Sequence, residues 1–366
     1  MNRFSFKCCI THSGEDVVDF VKGKIATSHK VLFIGTVGVD ANSLYYPKLL
    51  KGTTTSVDFK FLVENRPSVA MLLNHLGKLH RIFLAELLGK SCVFKEIEIV
   101  ADDEATISGR NAVRAVSPWL QTEGYTDIVI DSTGMSRGTS FPVIRQAVEA
   151  GLQLGVDVHL LIAASSNPIL HLIPESDERA EWIHGFQGKM DSDSMDDALK
   201  LWVPQLSEDK VQATSIMYRK LSPVAEVCPI LPFPSQNPRR GDNILFEYQD
   251  TLTQEWGSSL LNIIYAHESN PLDVYRSVST LHGIREQVFQ ETGEKPVTIL
   301  SPAGWRIGSL GMLLAAIELN LPVLYVETLG YTSQTTVPTK VVSPNPDLKW
   351  HIWLTGYVYN QNQAKS

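Results

Sequence analysis

The chain is poor in cysteine. Only Cys8, Cys9, Cys92 and Cys228 occur in 366 residues, with no Cys-x-x-Cys pair and no Cys–His spacing of the zinc-site kind. This is not a disulfide framework, and a reducing, cytoplasmic setting is expected. No apolar run reaches the roughly 18 to 20 residues needed to span a bilayer. The first thirty residues carry Glu15, Asp16 and Asp19, where an export signal would be basic and then apolar, so no membrane partner is expected. Positive charge is short too: 32 Lys and Arg face 40 Asp and Glu, a net charge of −8. Extended nucleic-acid binding is therefore not expected, although a small basic pocket stays open. HExxH, GxSxG and Walker-type loops are all missing. No cofactor and no metal site is expected.

What is there is the composition of a folded protein, 43% apolar and 20% charged, long enough for two domains or for one duplicated unit. From Lys30 the run VLFIGTVG is apolar, β-branched and closed by glycines, which reads as a buried strand opening into a loop. A strand over 56–63, a helix over 72–88, a half-buried strand over 93–100 and a short helix over 111–120 follow. The segment DIVID at 127–131 then leads through a glycine loop and a helix to VDVHLLIAA at 156–164. Continuous apolar runs of this kind are what parallel strands covered on both faces look like. The fold class expected is α/β, with two tandem Rossmann-like units in a pseudo-twofold arrangement.

Between them the character changes. Residues 175–210 hold ten acidic against four basic side chains, and 171–224 is expected to be an acidic helical insert between a first unit at 1–170 and a second at 225–366. The second unit opens with AEVCPILPFPSQNPRRG, whose four prolines call for an extended interdomain connector in place of a central strand or helix. Arg239 and Arg240 at its end can reach over a polyanion. The α/β rhythm then restarts with strands over 260–266, 297–301 and 322–327, helices over 271–291 and 307–319, and a β-rich tail. The acidic run DSDSMDD from Asp191 has Trp202 where a calcium loop needs Glu, so it is no EF-hand.

Two stretches can be laid over each other: TDIVIDSTGMSRGTSFPVIRQAVEAGLQLGVDVHLLI from Thr126 and KPVTILSPAGWRIGSLGMLLAAIELNLPVLYVE from Lys295. Gly134 and Gly304 are 170 residues apart, as are Asp131 and Ser301, and Arg137 and Arg306 are 169 apart. A parallel strand that ends in a glycine turn before a helix lets backbone N–H groups approach an anion, and an arginine in the turn adds a bidentate fork that matches phosphate. The plainer work of such a turn is geometry, with the arginine pairing a surface carboxylate.

A strand, a small-residue loop with Gly and Arg, a Gly-bearing helix and a second strand resemble the ligand loop of CRISPR-associated Rossmann-fold (CARF) sensor domains. Two such units on one chain resemble the SAVED domains of bacterial anti-phage systems. The resemblance implies a sensor or adaptor of prokaryotic anti-phage defence. It would bind a nucleotide-type ligand, a cyclic oligonucleotide among the candidates, in a cleft between the units, with Ser132, Thr133, Gly134 and Arg137 matching in one loop and Ser301, Gly304 and Arg306 in the other. No separate nuclease domain is evident, so such a sensor would act through a protein partner.

Other candidates stay open at this point. Gly35, Gly38 and Asp40 in GTVGVD form a partial dinucleotide fingerprint without its third glycine, and either plain loop geometry or ligand contact accounts for them. His267, Glu268, Asn270 and Asp273 make a polar cluster after the strand at 260–266, and Asn270 before Pro271 is also what helix capping requires. Asp40 with Asp58 and Lys60 imitates the acid plus acid-x-lysine pattern of a Mg²⁺-dependent nuclease. The alternatives to a sensor are thus a phosphodiester-cleaving enzyme and a scaffold subunit that binds no ligand.

Overall fold

The computed structural model describes residues 5–53, 56–188, 198–222, 226–257, 262–291 and 296–359. The DSDSMDD run lies outside them. The chain divides into two compact units, Cys8–Glu175 with Thr328–Ser366 and Ser176–Glu327 with Met1–Lys7. They are called here the seven-stranded unit and the middle unit.

In chain order the seven-stranded unit begins with β1 (Thr11–Ser13), α1 (Glu15–Gly23), β2 (Lys30–Thr36) and α2 (Tyr45–Lys51). Next come β3 (Ser56–Asn65), β4 (Ser68–Val69), α3 (Met71–Leu88), β5 (Cys92–Glu98) and α4 (Ser108–Leu120). It continues with β6 (Asp127–Asp131), α5 (Arg137–Leu154) and β7 (Asp157–Ala164). Strand β8 (Leu172–Trp182) carries the chain into the middle unit, which holds β9 (Leu199–Pro204), α6 (Val211–Leu221), β10 (Glu226–Val227), β11 (Ile230–Pro232) and α7 (Arg240–Glu247). After these come β12 (Ile264–Ala266), α8 (Pro271–Gln290), β13 (Pro296–Ser301) and α9 (Arg306–Leu319). Strand β14 (Leu324–Ser333) leads back, and β15 (Leu348–Thr355) closes the first sheet.

That sheet runs β1-β15-β7-β6-β2-β3-β5. From β7 to β5 all neighbours are parallel, and β15 pairs antiparallel with β7 and β1. Counting only the parallel strands, the order is 3-2-1-4-5, so the chain reverses direction across the sheet between β2 and β6. The buried stripes explain why these segments read so clearly as strands: all of β6 and all but the first residue of β2 are buried. Phe33, Phe59, Phe61, Val129 and Leu161 pack with Val17, Val21, Tyr46 and Leu84 of the covering helices into one core. Each such side chain contributes about 1.5 to 3 kcal/mol by leaving water.

In the middle unit β9 pairs parallel with β10 and β13, and β11 with β12. Isolated parallel bridges join Gln205 to Ile230 and Leu300 to Val323. If β10 and β11 are taken as one interrupted strand, the order along this sheet is again 3-2-1-4-5, with β9 first and β13 and the start of β14 fourth and fifth. Its core gathers Trp202, Met217, Tyr248, Trp256, Ile299 and Leu324.

Three expectations need correction. The segment 171–224 is no helical insert: among its described residues it holds β8, β9 and only one helix, α6. Glu175, Glu178, Glu181 and Asp209 are exposed, whereas the short apolar run Leu201–Trp202–Val203 is wholly buried and supplies the first parallel strand of the middle unit. The tail belongs to the other unit, because residues 348–355 pair in register along β7. The proline run is not only a connector. Ile230 and Leu231 are fully buried in β11, while Pro229 and Pro232 sit at its two ends. There a missing N–H costs little, and the Pro229 carbonyl still accepts from Ile264 N at 2.9 Å.

Candidate functional site

In an open parallel sheet the crevice outside the carboxyl ends of the strands, where the order reverses, is the place for a ligand. In the seven-stranded unit that place is flanked by the loop after β2 and the loop after β6. Both were singled out by sequence, and the structure brings them together: a Cβ added to Gly134 would lie 2.6 Å from Thr36 Oγ1 and 3.2 Å from Ser43 Cβ. Only glycine lets the two turns approach this closely.

The β6–α5 turn is held by its own side chains. Asp131, buried at the end of β6, accepts from the backbone N–H of Thr133 at 3.0 Å and from its hydroxyl at 2.5 Å. Thr133 Oγ1 in turn accepts from Ala163 N at 2.9 Å, and Ser132 donates to the Leu161 carbonyl at 3.1 Å. Ser136 caps α5 by accepting from Thr139 N at 3.2 Å. Arg137, the first residue of the helix, is half-buried at its mouth.

One residue at this helix end escaped sequence reasoning. Glu64, near the end of β3, accepts from Ser136 N at 3.1 Å and pairs with Arg66 at 2.6 Å, and the two side chains are only 11% and 4% exposed. Burial alone would raise this carboxyl. The Arg66 charge and the hydrogen bonds from Thr139, Arg66 and Ser136 more than offset burial and hold it below the usual carboxylate range. A carboxylate of the chain itself therefore sits at the positive end of α5.

The β2 loop contributes Gly35, Gly38 and Asp40. A Cβ added to Gly35 would lie 3.0 Å from the ring of Phe33 and 3.4 Å from that of Phe61. Asp40 caps the short turn 41–44 by accepting from Asn42 N at 2.9 Å. The Gly38 carbonyl accepts from His80 Nδ1 at 2.7 Å. His80 is buried, which lowers its pKa; the Gly38 carbonyl and Asp40 pull the other way without cancelling the effect. Two buried polar atoms lie around this crevice without a partner among the described residues: Thr36 Oγ1 and His80 Nε2.

The corresponding turn of the middle unit, β13 to α9, is filled from within. Gln205, directly after β9, stands where Thr36 stands at the end of β2. Its side chain donates to the Trp305 carbonyl at 3.2 Å and accepts from Ser309 Oγ at 3.3 Å. A Cβ on Gly304 would fall 2.5 Å from Gln205 Cγ, and one on Gly308 would fall 2.2 Å from its Nε2. Ser301 accepts from Trp202 Nε1 at 2.8 Å, and Arg306 opens α9 half-buried. Glu268 accepts from Gln236 N at 2.9 Å and pairs with Arg240. Asn270 caps α8 through Leu272 N at 3.0 Å, with Pro271 at the first helical position.

The nuclease constellation is not brought together. Asp58 lies level with Leu32 in the β2–β3 register, whereas Asp40 lies beyond Thr36, past the carboxyl end of the same strand. Four strand residues alone separate those levels by about 13 Å. Asp58 instead accepts from Tyr125 OH at 2.7 Å and faces Lys30 at 3.8 Å.

At the opposite, amino edge of the seven-stranded sheet is a second polar cluster that sequence reasoning missed. Asp127 and Asp157 face each other across the β6–β7 register, and His159 follows two residues on. All three are buried, and one ligand atom from each lies within 4.8 Å of the others. A cavity of about 470 Å³, lined by Lys24, Tyr125, Gly155 and Tyr357 among others, opens on the two aspartates. The available signal was the Asp-x-His at the head of one buried strand with an Asp at the head of its neighbour.

No protein-family model matches the sequence, and no curated protein sequence does. Solved structures do resemble it. A type III CRISPR defence DNA nuclease activated by cyclic oligoadenylate is 10% identical, with a TM-score of 0.41 over 78% of this chain, which spans 64% of that one. The cytoplasmic domain of a prokaryotic cation chloride cotransporter is 12% identical, with a TM-score of 0.24 over 82% of this chain and 96% of that one. A UDP-N-acetylglucosamine 2-epimerase is 10% identical, with a TM-score of 0.23 over 81% of this chain and 91% of that one. Among the described residues no helix is long and apolar enough to cross a membrane.

Proposed function

We propose that the chain is a sensor that takes a nucleotide-type phosphate ligand at the β2/β6 crevice of the seven-stranded unit and passes the binding on to a protein partner. The observation that carries this reading is the buried Thr36 hydroxyl beneath Gly134, without a partner among the described residues, at the point where the strand order reverses. The equivalent place in the middle unit is taken by Gln205 with both its amide atoms bonded. The strand order shared by the two units supports reading the chain as a doubled module in which one copy keeps its ligand seat.

Within that seat Arg137 supplies the phosphate fork, and Gly38 and Gly134 let backbone approach the ligand. The end of α5 is already neutralised by Glu64, so the anion is held by the arginine and the loop backbone. Asp131, Ser132 and Thr133 act by fixing the turn.

The test is calorimetric titration with cyclic tri-, tetra- and hexa-adenylate and with ATP, alongside mass spectrometry of small molecules released from the purified protein. Binding that weakens at least tenfold in Arg137→Ala, with an unchanged melting temperature, is the expected result. No released nucleotide and no dissociation constant below about 1 mM across the panel overturns the reading. Conversion of a probe to a shorter product moves the chain to the phosphodiesterases.

A further inference from the structure

We infer that the amino edge of the seven-stranded sheet is a binding site for one divalent first-row transition-metal ion, held by Asp127, Asp157 and His159. The site is separate from the β2/β6 crevice and does not depend on the sensor reading.

The donor atoms are fixed as ligands are. Asp127 Oδ2 accepts from the Thr126 hydroxyl at 2.6 Å, which leaves Oδ1 for the shared space, 3.3 Å from His159 Nε2. Two ligand atoms of one tetrahedral ion at about 2.1 Å stand ~3.4 Å apart. Asp157 Oδ1 accepts from Tyr357 N at 3.1 Å, which leaves Oδ2 for the same space. His159 is oriented through its other nitrogen, with Nδ1 3.0 Å from His351 Nε2; His351 Nδ1 is in turn 2.9 Å from His12 Nδ1. With Nδ1–H of His159 donating to His351, and His351 donating to His12, the Nε2 lone pair of His159 is turned toward the two carboxylates. Outer-shell orientation of this kind is characteristic of histidine ligands.

A second observation points to what the ion would carry. Trp353 is 5% exposed, and its indole N–H has no partner among the described residues. A Cβ built on Gly356 would lie 2.0 Å from Asp157 Oδ1 and 2.9 Å from Trp353 Nε1, so glycine alone keeps that junction open. A water on the ion gives the stranded donor an acceptor, and the cavity of about 470 Å³ beside Asp127 and Asp157 leaves a path for exchange with solvent.

Lys24 is the group with which an ion must compete. Its ammonium lies 3.6 Å from Asp127 Oδ1 and 3.5 Å from Asp157 Oδ2, a single positive charge against two buried carboxylates. Its side chain is one-third exposed, so it can leave for solvent. A divalent ion supplies twice the charge at shorter range. Two carboxylates with one imidazole suit Zn²⁺ or Mn²⁺ better than a thiolate-seeking ion.

The test uses full-length protein dialysed against a chelator and titrated with Zn²⁺ and with Mn²⁺ by calorimetry and by thermal melting, with Co²⁺ absorption reporting oxygen and nitrogen ligation. Expected are one site, a raised melting temperature on loading, and at least tenfold weaker binding in Asp157→Asn and His159→Gln. Lys24→Met leaves every ligand in place and guards against variants that fail to fold. It should melt lower without metal, bind at least tenfold tighter, and regain its melting temperature on loading. No binding below about 1 mM, ligation by sulfur, or affinities unchanged in Asp157→Asn and Lys24→Met overturns the proposal.

Discussion

The turn at Asp131–Arg137 and the turn at Ser301–Arg306 stand at the same step of the same strand order, yet their surroundings differ. In the seven-stranded unit the first parallel strand, β2, ends in Thr36, whose short side chain leaves its hydroxyl beneath Gly134 with no partner among the described residues. In the middle unit the first strand runs into Gln205, long enough to bond both the Trp305 carbonyl and Ser309. Two turns at matching places in the strand order therefore share a backbone shape, and the residue across from each decides whether it keeps an open polar atom or is a solid piece of core.

The sharpest way to break the comparison is to remove the charge that completes the first turn. Glu64→Ala leaves Arg66 buried without its carboxylate, which should destabilise the fold by about 3 to 5 kcal/mol. Denaturant unfolding measures this, and a loss under about 1 kcal/mol would mean that water replaces the pair freely. The same carboxyl gives an acid signature. Its folded pKa is lowered, so its contribution is complete above the unfolded value near 4.5 and fades as pH falls through the folded value.

Next in size is the plug of the middle unit. Gln205→Leu keeps volume but removes two buried hydrogen bonds, while the Trp305 carbonyl still accepts from the Ser309 hydroxyl at 3.0 Å and from its N–H at 3.1 Å, so the cost is about 1 to 3 kcal/mol at roughly 0.5 to 1.5 per bond. An unchanged unfolding midpoint would show that Gln205 is not what closes that turn.

A smaller effect comes from pH near neutrality. His80 is neutral in the fold, with its pKa lowered first by burial, so the unfolded chain binds the proton more readily. Stability is full above pH 6.5 and is lost as pH falls from there toward the lower folded value. Asp40 is the charged neighbour that opposes this. His80→Gln should flatten the slope of unfolding free energy between pH 7 and 5.5 relative to the parent, and an unaltered slope would assign it to other histidines.

How much of this was legible in the sequence follows from which signals are local. The buried runs at 30–36, 127–131 and 157–164 announced parallel strands because both faces of each are covered, and the glycine turns after the first two stood out as loops, although they were expected to line a cleft between two units. What stayed hidden depends on partners far along the chain. Glu64 reaches the α5 turn from 72 residues away, and His351 reaches His159 from 192. The strand at Leu199–Pro204 was masked by acidic neighbours, since composition over a window averages away a five-residue buried stripe.

The finest test of the comparison changes one atom group. Thr36→Val replaces the unpartnered hydroxyl with a methyl of nearly the same volume, and no hydrogen bond within the described chain is lost. Removing an unsatisfied buried hydroxyl should shift stability by less than about 1 kcal/mol, toward greater stability. If the hydroxyl is a ligand contact, affinity for the nucleotide should fall several-fold in the same variant, about 1 kcal/mol for one neutral hydrogen bond. Stability and affinity then move in opposite directions, which is the mark of a polar atom kept for a guest. A variant that loses stability instead would show that a buried water already satisfies Thr36, and the two turns would differ in packing alone.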